Sequence, residues 1–172
     1  MQLQVGNEEE LHLNGVVATS GGTIFLVSEW GIVFRCESDG ESWEIVETGY
    51  DGSFFGVVVN TLTDSVFAYG LLGTVYRSTD QGQTWEEMES KASTSLFGAV
   101  ATAEGALVFV GLRGTAVATL DDGDSFQSMK SGVSVSIPTM PGWYPNLWLW
   151  QIVAKAIAVK SSNSLKSPER FR

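Results

Sequence analysis

The stretch Ser78-Thr79-Asp80-Gln81-Gly82-Gln83-Thr84-Trp85 has the form S-x-D-x-G-x-T-W, and partial copies of it occur 42 residues earlier and 41 residues later. We call each copy a box. The earlier box runs from Cys36 to Trp43, and the later box runs from Thr119 to Phe126. A period of about 40 residues that encodes short strands and turns is typical of a β-propeller with one repeat per blade.

The repeat extends upstream of each box. Glycines open a G-x-V-like strand at Gly31, Gly73 and Gly114, and the spacing between them is again 42 and 41 residues. In the second repeat, four apolar runs are separated by turn residues, which is the pattern of short strands joined by tight turns: Phe55–Thr61, Ser65–Leu71, Thr74–Asp80 and Trp85–Glu89. The sequence therefore predicts an all-β propeller of about three four-stranded blades, at residues 12–49, 53–90 and 95–130, after a lead-in at residues 1–11.

Each box has a structural explanation. Asp80 can accept hydrogen bonds from the backbone of its own turn, and Gly82 can adopt a positive φ without steric cost. Trp85 can anchor the next strand as a large buried aromatic side chain, and its removal is expected to cost roughly 3–5 kcal/mol. We therefore predict a structural role, without catalysis, for fourteen positions: Ser38, Gly40, Ser42, Trp43, Ser78, Asp80, Gly82, Thr84, Trp85, Thr119, Asp121, Gly123, Ser125 and Phe126.

The boxes resemble the Asp-box, or bacterial neuraminidase repeat, of sialidases, other glycosidases and sortilin-like receptors. The fuller pattern, from Phe55-Gly56-Val57-Val58 to Gly73-Thr-Val-Tyr-Arg77 and the box, most closely resembles the photosystem II stability/assembly factor family and its bacterial relatives. That resemblance covers about residues 12–130. It implies a seven-bladed, extracytoplasmic, non-enzymatic propeller that helps to assemble membrane protein complexes.

The same resemblance implies that arginines on the propeller surface contact a protein partner. Arg35 and Arg77 occupy the matching positions, whereas the third repeat has Ala118 there. Arg35 and Arg77 are therefore the candidate partner-binding residues. The competing interpretation is that their aliphatic stems pack between strands while their guanidinium groups are paired or solvated.

A fragment of a sialidase-like or other glycan-processing or glycan-binding propeller is the alternative function. Sialidases use an arginine triad and a tyrosine nucleophile, but the repeats offer only Arg35, Arg77 and Arg113, and the F-R-I-P motif is absent. A single histidine and a single cysteine limit metal and nucleophile chemistry, so no cofactor or metal is expected. The acidic repeats also argue against nucleic-acid binding, which depends on neutralising phosphates.

Three blades do not close a ring, and terminal blades would expose apolar faces. The sequence therefore predicts self-association through unpaired blade faces or a longer parent protein. The first residues, Met1 to Val5, lack the basic start and apolar core of a secretory signal, which contrasts with the extracytoplasmic location that the resemblance implies.

The composition changes abruptly after residue 129. Residues 1–129 hold 19 acidic and 4 basic side chains, a net charge of −15, whereas residues 130–172 hold 1 acidic and 6 basic, a net charge of +5. We interpret residues 131–172 as a divergent tail that is either not native propeller sequence or a partner or membrane-surface helix over 147–160. Its apolar stretch is too short to span a bilayer, which takes roughly 20 residues.

Overall fold

The computed structural model describes residues 11–37 and 40–129. These residues form three antiparallel four-stranded sheets, each in simple up-and-down order, and the ring of sheets is not closed. The predicted all-β propeller fold is thereby confirmed, whereas the expected tail over residues 131–172, with its helix, lies outside the described residues.

Each blade uses consecutive strands. The first blade contains β1 (Leu13–Ala18), β2 (Ile24–Ser28), β3 (Ile32–Cys36) and β4 (Glu44–Glu47). The second contains β5 (Phe54–Val59), β6 (Val66–Gly70), β7 (Val75–Ser78) and β8 (Glu86–Glu87). The third contains β9 (Leu96–Ala101), β10 (Leu107–Gly111), β11 (Ala116–Thr119) and β12 (Gln127–Ser128).

The first strands of successive blades lie against one another, so β1, β5 and β9 form the inner edge of the array. Glycine permits this approach, because a Cβ on Gly15 would lie 3.0 Å from the Cα of Gly56. Asn14 adds a polar link across the same boundary, since its Nδ2 donates to the carbonyl oxygen of Phe54 at 2.8 Å. The inner strands are thus fixed by close backbone contact.

Two apolar clusters hold the blades together, one at each boundary. Phe25 and Val27 of the first blade pack with Phe54 and Val66 of the second, and all four side chains are fully buried. The second boundary contains a larger group of buried side chains: Phe67, Tyr69, Val75, Leu96, Leu107, Phe109, Val117 and Phe126. Middle strands covered on both faces explain why the sequence shows continuous apolar runs there instead of strict alternation.

The connections between strands divide between the two ends of the blades. The boxes join the third strand of each blade to the fourth, at the same end as the turns that join the first strand to the second. The turns between the second and third strands lie at the opposite end, together with the connections from one blade to the next. We call these the box end and the turn end. Among the described residues, no helix is long and apolar enough to cross a membrane.

Candidate functional site

The second box is a closed hydrogen-bonded loop. Asp80 accepts three bonds through its carboxylate: Ser78 Oγ and the Thr84 backbone N–H donate to Oδ1 at 2.8 and 2.9 Å, and Thr84 Oγ1 donates to Oδ2 at 2.5 Å. Gly82 N–H donates to Ser78 Oγ at 2.8 Å, and Trp85 Nε1 donates to the Gly82 carbonyl at 3.2 Å. The side chains of Ser78, Asp80 and Thr84 therefore bond within their own loop, as in an Asx-type turn.

The third box repeats this arrangement with different residues. Thr119 Oγ1 donates to Asp121 Oδ1 at 2.8 Å, and Gly123 N–H donates to Thr119 Oγ1 at 2.8 Å. Ser125 bonds both carboxylate oxygens of Asp121, through its backbone N–H at 2.9 Å and its Oγ at 2.6 Å. Threonine and serine exchange places without loss of a bond, because each supplies one hydroxyl.

These bonds change the acidity of the two box aspartates. At Asp80, desolvation raises the pKa, but donors from Thr84, Ser78 and Gln83 outweigh it and lower the pKa to about 2. At Asp121, the Ser125 hydroxyl and backbone N–H, with Thr119, lower the pKa to about 2. Hydrogen bonds to a carboxylate favour its charged form, so both groups are held as permanent anions at neutral pH.

The first box is described only in part, since Ser38 lies outside the described residues. Gly40 has a φ of +73°, in the left-handed region, and Trp43 Nε1 donates to its carbonyl oxygen at 3.3 Å. This bond matches the one between Trp85 and Gly82 in the second box. Ser42, the counterpart of Thr84, is exposed. The structural role predicted for the fourteen box positions remains a prediction, since the geometry shows where they lie and not what their loss costs.

Each described box loop of the second and third blades also packs on the blade before it. A Cβ on Gly82 would lie 2.2 Å from Phe25 Cε1, and one on Gly123 would lie 2.8 Å from Phe67 Cε1. The ring of Phe25 meets Trp85 edge-on at a centroid distance of 6.2 Å. Glycine is therefore required at this position for its positive φ and for the aromatic ring beneath it.

Arg35 lies on β3 and reaches across the first blade boundary. Its Nε donates to the carbonyl oxygen of Gln81, in the second box, at 2.7 Å. Within its own blade it pairs with Glu37 at 2.7 Å and Glu44 at 3.2 Å. Only 10% of the side chain is exposed, because the aliphatic stem lies between the sheets.

Arg77 makes the equivalent connection across the second boundary. Its Nη1 donates to the carbonyl oxygen of Asp122 at 2.5 Å and to Asp124 Oδ1 at 2.8 Å, both in the third box. Nε and Nη2 donate to Glu86 Oε1 at 2.9 and 2.7 Å, and 14% of the side chain is exposed. Desolvation lowers the Arg77 pKa, but the bonds and charges of Glu86 and Asp124 outweigh it and raise the pKa.

Arg35 and Arg77 thus make equivalent hydrogen bonds at successive blade boundaries. Each bonds the carbonyl oxygen of the fourth box residue in the following blade, and that residue has a φ of +59° at Gln81 and +57° at Asp122. The structure does not bring Arg35 and Arg77 together into one cluster, because each lies at its own boundary. Their role as partner contacts stays a prediction.

Besides its main-chain bond to Arg77, Asp122 has a structural role that the sequence did not indicate. Its carboxylate accepts bonds from Asn60 Nδ2 at 2.7 Å, Thr63 Oγ1 at 2.9 Å and Ser65 Oγ at 2.6 Å, all in the second blade. Asn60 is almost fully buried and also donates to the Gly105 carbonyl at 3.1 Å. These contacts span up to 62 residues, so no local motif reveals them.

A groove of about 180 Å³ beside the second box is lined by Arg77, Thr79, Thr84, Trp85 and Glu86. It contains one arginine, already paired, and its single carboxylate is bound to that arginine. Within residues 11–37 and 40–129, no three histidine, cysteine or acidic side chains are placed to hold a metal ion. The groove therefore lacks the arginine cluster and tyrosine that sialidase chemistry needs.

Solved structures of other proteins share this architecture. The chain is similar to YCF48 from Cyanidioschyzon merolae, with a TM-score of 0.59 and 22% identity over 73% of this chain and 39% of that one. A YCF48 bound to a D1 peptide aligns with a TM-score of 0.56 and 18% identity, over 74% and 41% of the two chains. An ancestral GH74 enzyme aligns with a TM-score of 0.56 and 19% identity, over 67% of this chain and 18% of the enzyme.

These identities establish the fold and nothing finer, and the chain spans about two fifths of the length of the two YCF48 structures. A search of curated proteins gave no significant match. The family described as photosynthesis system II assembly factor YCF48 matches residues 1–172, which is the whole of the sequence. The chain belongs to this family of photosystem II assembly factors.

Proposed function

We propose that this chain is a non-catalytic, protein-binding part of a propeller that acts during the assembly of a membrane protein complex. The family match over the whole sequence is the observation that carries the proposal. A related propeller of known structure is described as bound to a D1 peptide, which supports a protein as the partner class.

The chemistry of the boxes supports a scaffold over an enzyme. A general acid needs a carboxyl pKa near the working pH, and glycosidases obtain one by raising it. Asp80 and Asp121 have the opposite shift, to about 2, and their oxygens are occupied by donors of their own loops. The buried tyrosine Tyr69 has its pKa raised by desolvation to about 12, which disfavours the phenolate that a nucleophile needs.

Arg35 and Arg77 remain the partner-contact residues of this proposal, with a condition that their geometry sets. A partner carboxylate would have to compete with Glu37 and Glu44 at Arg35, and with Glu86 and Asp124 at Arg77. Those four acidic side chains are between 59% and 73% exposed, so a partner can reach them and take their place. A contact of this kind is an exchange of ion pairs, and its net gain is expected to be small.

Binding to overlapping synthetic peptides that cover the D1 protein tests the proposal. The full chain is titrated into each labelled peptide, and fluorescence anisotropy is compared with that of scrambled peptides. We expect saturable binding of at least one peptide at micromolar concentration, since standalone peptide segments bury a small interface. Equal binding of native and scrambled peptides, or binding of neither, would count against a D1-like partner.

The glycan-processing alternative rests on the shared fold of the GH74 enzyme, which shows architecture alone. Incubation with a panel of chromogenic glycosides, and a screen against immobilised glycans, would detect it. Trp85 and Glu86 line the groove at the second box. If the groove binds or cleaves glycans, replacement of either residue should lower the measured binding or turnover. We expect no turnover by the wild-type chain.

A further inference from the structure

The turns at the turn end of the blades hold bulky side chains in a conformation that usually favours glycine. Trp30, Leu72 and Arg113 occupy equivalent positions between the second and third strands, with φ values of +56°, +55° and +56°. A left-handed backbone costs a non-glycine residue about 1–2 kcal/mol. The chain accepts this cost at all three turns.

The connection between the second and third blades brings two of these turns together. The Leu112 N–H donates to the carbonyl oxygen of Ser95 at 3.0 Å, and the Leu72 N–H donates to Ser95 Oγ at 3.2 Å. The turn before Gly73 also contacts β9, which begins at Leu96. Leu72 and Leu112 are therefore neighbours on one surface, although they are 40 residues apart in sequence.

Apolar side chains are exposed around this connection. Leu71, Leu72, Phe97 and Leu112 are between 37% and 70% exposed, and Phe97 stacks on Phe55 at a ring-centroid distance of 4.9 Å. Exposed apolar side chains gathered in one place mark an interaction site more often than single ones do. The stacked ring fixes the orientation of Phe97, so the surface is in part preorganised.

Two cations lie beside these apolar side chains. Lys91 and Arg113 are exposed, and neither forms an ion pair with another residue in the described ranges. Lys91 is next to Ala92, whose carbonyl oxygen packs against Gly73. By contrast, Arg35 and Arg77 are both paired with carboxylates at the box end. The unpaired positive charge of the described residues is therefore concentrated at the turn end.

We propose that this surface docks an acidic segment of a partner protein that also carries apolar side chains. We call it the turn surface, and it consists of Leu71, Leu72, Lys91, Phe97, Leu112 and Arg113. Apolar contacts would supply affinity, and the two cations would select a segment with carboxylates. An anionic membrane is a poorer fit, because recognition of anionic lipids takes a cluster of roughly four to eight lysines and arginines, and this surface has two. The proposal rests on the proposed function and adds a second contact surface to it, at the opposite end of the blades from Arg35 and Arg77.

Peptide selection tests the turn surface directly, whatever the identity of the partner. A phage-displayed library of twelve-residue peptides, each about 40 Å long when extended, is selected on the full chain. One selected peptide is then synthesised, together with an amide copy in which asparagine replaces each aspartate and glutamine replaces each glutamate. We expect selected peptides to combine Asp or Glu with Leu, Phe or Trp, and the amide copy to bind about tenfold more weakly.

Four variants locate the binding site. Leu72→Asn, Lys91→Asn and Arg113→Asn keep the left-handed turn, since asparagine tolerates that conformation. Leu62→Asn is the matched control, because Leu62 is 68% exposed at the box end and Leu72 is 70% exposed at the turn end. We expect Leu72→Asn to weaken binding about tenfold and each charge variant by a few-fold, with Leu62→Asn unchanged.

Several results would overturn the turn surface. They are an empty selection, selected peptides rich in lysine and arginine, equal affinity for the amide copy, or equal loss in Leu62→Asn and Leu72→Asn. Co-sedimentation with phosphatidylcholine–phosphatidylserine vesicles that is lost in Leu72→Asn would assign the surface to a membrane instead. The D1 peptides separate this proposal from the wider one: binding to a D1 peptide that Leu72→Asn leaves intact keeps the proposed function and rejects the turn surface.

Discussion

The guanidinium group of Arg77 bonds the main-chain carbonyl oxygen of Asp122 across the boundary between the second and third blades, at 2.5 Å. Arg35 makes the same bond to Gln81 at the boundary between the first and second blades. A main-chain acceptor is available whatever residue occupies the fourth box position, which explains why glutamine and aspartate serve equally. The repeated sequence thus encodes a repeated bond between blades, in addition to the turn within each blade.

Replacement of Arg77 is expected to destabilise the chain. Arg77→Ala leaves the Asp122 carbonyl and Glu86 without their donor, and should lower the free energy of unfolding by about 2–3 kcal/mol. Arg77→Lys should recover only part of the loss, because an ammonium group cannot bond three separated acceptors in the plane of a guanidinium. Urea denaturation followed by circular dichroism measures both.

Arg113→Ala is the matched control for Arg77, since Arg113 is exposed and forms no ion pair in the described part of the chain. We expect the free energy of unfolding of Arg113→Ala to lie within about 0.5 kcal/mol of the wild-type value. Equal effects of Arg77→Ala and Arg113→Ala would mean that the bond between blades contributes nothing measurable.

Two box glycines should respond differently to the same substitution. Gly40 and Gly82 have φ values of +73° and +84°, but a Cβ on Gly40 would meet no atom of residues 11–37 and 40–129 within 4 Å, whereas one on Gly82 would lie 2.2 Å from Phe25 Cε1. Gly40→Ala should therefore cost only the backbone strain, about 1–2 kcal/mol. Gly82→Ala adds overpacking of about 1–3 kcal/mol.

The difference between these two variants isolates the contact with Phe25. Thermal denaturation of both, with the wild type, gives the comparison directly. If Gly82→Ala is no worse than Gly40→Ala, the box loop does not press on the preceding blade as the structure indicates.

The aromatic residue that closes each box should matter in proportion to its burial. Phe126 is 1% exposed and packs on Phe109 at a centroid distance of 5.9 Å, so Phe126→Ala should cost about 3–5 kcal/mol. Trp85 is only partly buried, and it lines the groove beside the second box. The cost of Trp85→Ala is therefore revised downward from the sequence-based expectation, to about 2 kcal/mol. A larger loss of unfolding free energy for Trp85→Ala than for Phe126→Ala, measured by chemical denaturation, would contradict this order.

Acid should weaken the fold through the box aspartates. The folded-state pKa of Asp80 and of Asp121 is about 2, below the ordinary value of 3.8, so both carboxylates contribute stability that is present above about pH 4. That contribution is lost as the pH falls from about 4 to 2, because protonation removes acceptors from Thr84 and Ser125. The denaturant midpoint should therefore be lower at pH 3 than at pH 4, and highest at pH 7.

Asp80→Asn and Asp121→Asn provide the check on that pH dependence. Each variant should be less stable than the wild type at pH 7, and its midpoint should change less between pH 4 and 3. A wild-type slope that persists unchanged in the double variant would assign the acid sensitivity to other carboxylates.

The blades could be read from the sequence because their signals are local. Asp80, Gly82 and Thr84 lie within five residues of one another, and their spacing alone predicts the turn that the structure contains. The bonds of Arg35 and Arg77 were not predictable in the same way, since their acceptors lie 46 and 45 residues away in another blade. Only the periodicity of the arginines hinted that they serve a repeated role.

The turn surface shows the limit of the same approach. Gly31, Gly73 and Gly114 were visible as a periodic set, and the left-handed residue that precedes each one could have been sought from that pattern. What the sequence did not contain is the connection through Ser95, which places Leu72 beside Leu112. Exposure of an apolar residue depends on its neighbours in space, and so it follows from the assembled blades alone.

The bond from each arginine has a direction along the chain, and this direction sets a rule for exchanging blades between propellers of this kind. A transplanted blade must arrive with two matching ends: a box whose fourth carbonyl faces backward, and an arginine on its third strand that reaches forward. The second blade has both features, in Gln81 and Arg77, whereas the third has the acceptor Asp122 but Ala118 in place of the donor. Of the two blades whose boxes the structure describes in full, only the second can therefore be transferred without change. A graft that places the third blade in an interior position would need Ala118→Arg to complete its forward connection.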